Sequence, residues 1–262
     1  MFPYRDENQT IRTPYITFAL IAANVLVWLV IQGAGAAVPL ARSVCNLGLI
    51  AGELTGMAPP GAQFPMGPEL VCLTDPGPQF EHLLTSMFMH GGWMHLLGNM
   101  WFLWIFGNNI EDSMGAGRYL PFYLLCGLLA ALAQVAANPA SAIPMVGASG
   151  AISGVMGAYL VLFPKVRVFT MVPLGVVLTS VAMPAWSMLL FWAGIQFVSG
   201  MFDIFGGGGA GGGVAFWAHL GGFVAGAVLI KLFVRRDYLA EHRAHRWQPK
   251  RVGLSRPLGP PR

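Results

Sequence analysis

What this sequence has least of is charge. Only 10% of its 262 residues are Asp, Glu, Lys or Arg, against roughly 25% in a soluble domain. From Tyr119 to Pro164 there is none at all. That excludes an ordinary water-soluble domain, because a surface of this composition could not be covered with ionised groups. Cysteine is also scarce, at three. Cys126 lies in an apolar run and reads as a core residue. Cys45 and Cys72 share one long loop, where a disulfide and two free thiols are both open. No His-Glu-x-x-His is present. His82, His90 and His95 are spaced eight and five apart, so one helix face cannot carry all of them. No metal is expected and no cofactor is called for. An internal repeat is missing too, which weakens any reading as a transporter built from inverted halves. No secretory signal is expected either, since the start, Met1-Phe2-Pro3-Tyr4-Arg5, is followed by acidic residues and by an apolar run long enough to stay as a span.

What is present is apolar. Hydrophobic residues make up 55% of the chain and the mean hydropathy is +0.61. The fold class expected is an all-α polytopic membrane protein, a six-transmembrane-helix bundle with a long structured first outer loop. Residues 1–14 are a polar N-terminal segment. Spans are expected at about 15–34, 93–110, 119–137, 147–163, 185–204 and 214–234, so residues 15–234 form the membrane domain. The first outer loop, about 36–92, is too broken by Pro and Gly to span, yet too apolar for a free linker. Residues 168–183 read as an apolar connection. Gly206–Gly209 and Gly211–Gly213 read as a flexible loop, and residues 235–262 as a basic, disordered tail.

The net charge of +4 does not imply nucleic acid, because the basic residues form no patch. They mark sidedness instead. Arg5, Arg12, Arg118, Lys165, Arg167, Lys231, Arg235 and Arg236 fall on one side of the six spans, and Arg42 on the other. The positive-inside rule then puts both termini in the cytoplasm, with the long first loop and the glycine loop outside; a bacterial-type inner or cell membrane is the setting expected.

Three polar pieces fall at one depth. His95 lies sixteen residues from Glu111, Ser149 sixteen from Lys165, and His219 sixteen from Arg235. At about 1.5 Å per residue each stands some 24 Å from the inner boundary, near the outer face of a core about 30 Å thick. Gly150 and Gly154, and Gly222 and Gly226, are pairs four apart that let the fourth and sixth spans approach. A serine hydroxyl needs a base, and His219 is the histidine at matching depth beside a small-residue face. Ser149 is therefore assigned as nucleophile, with His219 as general base and then acid. Asn99, the His95 ring and the Ser149 N–H are candidate oxyanion donors. With no carboxylate at this level, a dyad is the simpler reading. The competing readings are a helix-packing serine with structural histidines, a binding protein that captures membrane helices without cutting them, and a proton or small-solute transporter. Trp101, Trp104, Trp186, Trp192 and Trp217 read as interface and packing residues.

These residues resemble the rhomboid intramembrane serine proteases. The resemblance rests on His95-x-x-x-Asn99, Gly147-x-Ser149-Gly150, His219 ahead of Gly222-x-x-x-Gly226, and Gly107-x-x-x-Glu111-x-x-x-Gly115, and it covers roughly residues 15–234. It implies a Ser149–His219 dyad and an oxyanion hole of His95, Asn99 and the Ser149 amide. It also implies that His90 braces the first outer loop, and that the fifth span and glycine loop admit substrate laterally. Transmembrane proteins would be the substrates and the bilayer the medium; the sequence sets no oligomeric state. Two positions depart from the family pattern. Phe80-Glu81-His82 stands where many relatives carry Trp-Arg. Ser153 stands where some relatives carry an aromatic ring that stacks on the catalytic histidine. Inactive relatives lack the serine or the histidine, whereas both are present here.

Overall fold

The structure is a computed structural model and describes residues 2–67, 69–174, 177–205 and 214–246. In chain order it runs β1 (Phe2–Asp6), α1 (Tyr15–Val30), α2 (Ala37–Leu47), α3 (Ala51–Thr55), β2 (Gln63–Pro65), β3 (Val71–Leu73) and α4 (His82–Thr85). It continues with α5 (Trp93–Phe102), a π-helical segment at Leu103–Gly107, α6 (Asn108–Met114), α7 (Ala116–Ala137) and α8 (Ser149–Leu162). Then come β4 (Arg167–Leu174), β5 (Val177–Pro184), α9 (Ala185–Phe205), α10 (Phe216–Phe233) and α11 (Arg236–Arg246). The chain is mostly helical. The stretches Ala116–Ala137, Ala185–Ile204 and Phe216–Phe233 are long and apolar enough to cross a membrane. Tyr15–Val30 and Ser149–Leu162 are shorter apolar helices.

The bundle is organised around α8. Every residue from Ala151 to Tyr159 is buried, which a helix of only 14 residues achieves by being thin. Gly150, Gly154 and Gly157 line it with small surfaces, so α7 and α10 come in close. On α1 the buried residues Thr17, Leu20, Asn24 and Trp28 recur at three- and four-residue steps, which marks one face toward the bundle. The start of α1 is capped from another element. Glu111 Oε1 accepts from the Ile16 N–H at 2.9 Å, and Oε2 from the Thr17 N–H and hydroxyl at 2.8 Å each. A carboxylate there satisfies orphan N–H groups and meets the positive end of the helix. The flanking glycines of that motif have reasons of their own. A Cβ on Gly107 would stand 2.7 Å from the Tyr119 hydroxyl, and Gly115 closes α6 at φ +80.

Two expectations are corrected. The chain is not all-α: β1, β4 and β5 form an antiparallel sheet in the order β1-β4-β5, and β2 pairs with β3. The stretch expected as an apolar connection is the β4–β5 hairpin. Val166, Val168 and Thr170 are buried while Arg167, Phe169 and Met171 alternate with them, the period of two that a half-buried strand requires. The segment expected as a disordered tail begins with a helix, α11. Its His242 is fully buried, with Nδ1 2.5 Å from Asp112 Oδ2 and Nε2 3.0 Å from Asn8 Oδ1. Arg12 joins the same carboxylate at 3.1 Å and also pairs with Glu241. Composition alone hides this helix, because its contacts run through polar and charged residues, with His242 buried among them. Residues 247–262 and the expected glycine loop lie outside the described residues.

The long first loop is built of α2, α3, α4 and the β2–β3 hairpin. Cys45 on α2 and Cys72 on β3 are joined as a disulfide, with Cα atoms 5.5 Å apart. Gln32 ties the loop to the end of α1. Its amide accepts from the His90 N–H and donates to the His90 carbonyl, both at 2.8 Å.

Candidate active site

Ser149 is the first residue of α8, so its N–H belongs to the orphan donors of a helix start. The turn that delivers it needs glycine at position 147. Gly147 has φ +129, and a Cβ there would stand 2.7 Å from His95 Nε2. His219 sits on the first turn of α10. The two helices meet through carbonyls: a Cβ on Gly222 would fall 2.1 Å from the Gly150 oxygen, and one on Gly226 1.8 Å from the Gly154 oxygen. This closeness lets the side chains meet, and Ser149 Oγ lies 2.8 Å from His219 Nε2.

The other predicted residues gather around that pair. Gly91 N–H donates to His95 Nδ1 at 3.3 Å, which leaves the proton of a neutral ring on Nε2, the nitrogen facing Gly147. His90 packs edge-on against His95 with ring centroids 5.1 Å apart. Asn99 is 8% exposed, and its Nδ2 has no hydrogen-bond partner among the described residues. His95, Asn99, Ser149 and His219 line one cavity of about 800 Å³, walled on the loop side by Phe64 and Met66. That cavity therefore holds a hydroxyl, a base hydrogen-bonded to it and uncommitted N–H donors. This is the set needed to add an alkoxide to a carbonyl and stabilise the resulting oxyanion.

His82, His90 and His95 come from three different local settings, α4, the loop after it and α5. His82 is buried beside Glu53, away from the cavity walls just described. Ser153 turns back on its own helix, its hydroxyl donating to the Ser149 carbonyl at 2.6 Å. Of two further neighbours of His219, Gln196 escaped the sequence reading and Trp192 was read only as an interface and packing residue. Gln196 Oε1 lies 2.8 Å from His219 Nδ1, and the Trp192 ring lies 5.9 Å from the imidazole at a tilt of 38°. Both come from α9. The signal in the sequence is that Gln196 is the sole amide in the fifth apolar run, and an amide inside a membrane span requires a partner.

A model of the Rhomboid domain matches residues 77–236, more than half of the chain. Rhomboid protease GluP of Bacillus subtilis is 39% identical over 82 residues, which is 31% of this chain and 16% of that protein. The mitochondrial Rhomboid protein 1 of Saccharomyces cerevisiae is 30% identical over 153 residues, 56% of this chain and 40% of that one. Rhomboid-like protease 5 of Toxoplasma gondii is 32% identical over 171 residues, 63% of this chain and 17% of that one. The matches thus span less than half the length of each of these relatives. With the domain model covering α4 through the start of α11, this chain belongs to the rhomboid family of integral membrane proteins.

Proposed function

We propose that the protein is an intramembrane serine endopeptidase that hydrolyses peptide bonds in or next to transmembrane segments of other membrane proteins. The observation that carries this reading is the 2.8 Å hydrogen bond between Ser149 Oγ and His219 Nε2 inside the cavity. The names of the relatives, several of them rhomboid proteases, support the same class. In the first step the Ser149 proton passes to His219 Nε2 as Oγ bonds to the scissile carbonyl carbon. The oxyanion takes hydrogen bonds from the Ser149 N–H, Asn99 Nδ2 and His95 Nε2. His219 then protonates the leaving amine, the C–N bond breaks, and an acyl-enzyme remains. Water repeats the sequence with His219 as base, releases the acid and restores the serine.

In this reading α1, the helical stretch from α5 to Ile110, α7, α8, α9 and α10 are the six spans. Both termini face the cytoplasm of a bacterial-type membrane, and the dyad opens near the outer face. A carbonyl inside a helix is already hydrogen-bonded and shielded, so substrate segments with small or helix-weakening residues near that face are cut first.

The test is cleavage of a panel of single-span membrane proteins by purified protein in liposomes, with a serine-directed fluorophosphonate probe alongside. Cleavage and labelling that both vanish in Ser149→Ala and in His219→Ala support the dyad. Cleavage that persists in Ser149→Ala removes it.

A further inference from the structure

We infer that Gln196 is a positioning residue of the Ser149–His219 pair, whose side-chain oxygen fixes the tautomer and ring plane of His219. The inference rests on the catalytic reading above. Gln196 interrupts an apolar helix; its neighbours Ile195 and Phe197 are 46% and 48% exposed on the outside of the bundle. An amide in that setting is costly unless it is bonded, and its partner is the catalytic ring: Gln196 Oε1 stands 2.8 Å from His219 Nδ1.

The chemistry follows from what an amide oxygen can do. It only accepts, so the Nδ1 facing it carries the proton. A neutral imidazole with its proton on Nδ1 has a bare lone pair on Nε2, and Nε2 is the atom 2.8 Å from Ser149 Oγ. Gln196 therefore selects the one neutral tautomer able to deprotonate the serine. It does so without a full charge, in a site where an isolated carboxylate would be expensive to bury.

The ring plane is held as well. Trp192 lies one turn before Gln196 on the same face of α9 and flanks His219 at 5.9 Å. The support that Ser153 does not supply from α8, whose hydroxyl is spent on the Ser149 carbonyl, comes instead from α9. The nucleophile and its base thus sit on α8 and α10, while the groups that orient the base sit on a third helix. Only 22% of the apolar window of α9 is buried, against 39% for α7. A displacement of α9 away from α10 withdraws the amide and the indole together and leaves His219 without a fixed tautomer.

A pair of substitutions separates positioning from packing. Gln196→Met keeps the length and suits lipid but has no strong acceptor. Gln196→Glu keeps an acceptor oxygen and suits lipid poorly. Each is compared with wild type and Ser149→Ala for kcat, KM, fluorophosphonate labelling rate and thermal stability in detergent. We expect Gln196→Met to lower kcat about 10- to 100-fold, with KM within twofold, slower labelling and unchanged stability. Gln196→Glu should retain kcat within about fivefold despite lower stability. It should also move the acid limb of kcat/KM to higher pH, since a carboxylate stabilises the imidazolium. The groups facing that ring are the Ser149 hydroxyl, His95 on α5, Trp192 and residue 196 itself. The reverse ranking, with Gln196→Met like wild type and Gln196→Glu impaired, overturns the inference while a dead Ser149→Ala keeps the protease reading. Activity that survives Ser149→Ala overturns both.

Discussion

Gly226 and Gly154 meet backbone to backbone: a methyl group on Gly226 would stand 1.8 Å from the Gly154 carbonyl oxygen. No rotamer change relieves such a clash, because both partners are main chain. Helices α8 and α10 would have to separate, and with them Ser149 and His219. Gly226→Ala is expected to lose about 3 kcal/mol, the upper end of overpacking costs, and most cleavage activity with it. Gly117→Ala, where an added Cβ meets nothing within 4 Å, is the control and should leave both unchanged. Thermal unfolding in detergent beside a cleavage assay reads the difference.

Asn99 provides a cleaner separation of chemistry from folding. Its Nδ2 is buried without a partner among the described residues, so removing it orphans no other group. On the proposed mechanism Asn99→Ala is expected to lower kcat about 100-fold, the cost of one oxyanion donor, with KM and melting temperature little changed. An equal loss in stability would mean that Asn99 serves the fold instead.

At the other end of the molecule Asp112 ties three segments together. Burial pushes its carboxyl upward, but hydrogen bonds from the His242 ring and from the Ile11 and Arg12 N–H groups outweigh that and hold it below the ordinary carboxylate value. A depressed folded value means the ionised form is the one the fold prefers. The stabilisation is therefore complete above the unfolded value, about pH 4, and is lost as pH falls through the lower, folded one. Asp112→Asn should cost about 3 kcal/mol at neutral pH and flatten the acid limb of the stability curve. It should also speed hydrogen exchange across α11, since His242 would exchange a carboxylate acceptor for a weaker amide oxygen while keeping Asn8. An α11 that exchanges equally fast in both proteins would show that the helix is held by something else.

Much of the candidate site is legible in the linear sequence, and for a definite reason. In an apolar chain each polar side chain in a span must be accounted for, so Ser149, His95, Asn99 and His219 stand out singly. Residue counts to a charge at the inner boundary put three of the four at a common level to within about one helical turn. The glycine pairs indicate which helices can touch, because close approach excludes side chains and leaves glycine as its trace. The β4–β5 hairpin was not legible in this way: Phe169 and Met171 face away from the buried Val168 and Thr170 yet are apolar, so the period of two lies in burial and not in residue type.

What the sequence by itself determined is the medium and the inventory: a membrane chain, its breaks, and the groups present at each depth. Those follow from hydropathy and helical rise, which are properties of single segments. Only the tertiary structure decided which groups face one another around a helix axis. Gln196 and Trp192 on α9 meet His219 on α10, and His242 on α11 closes on Asp112. These contacts depend on how helices are rotated and seated side by side. That choice is made by packing over the whole bundle, and no segment carries it alone.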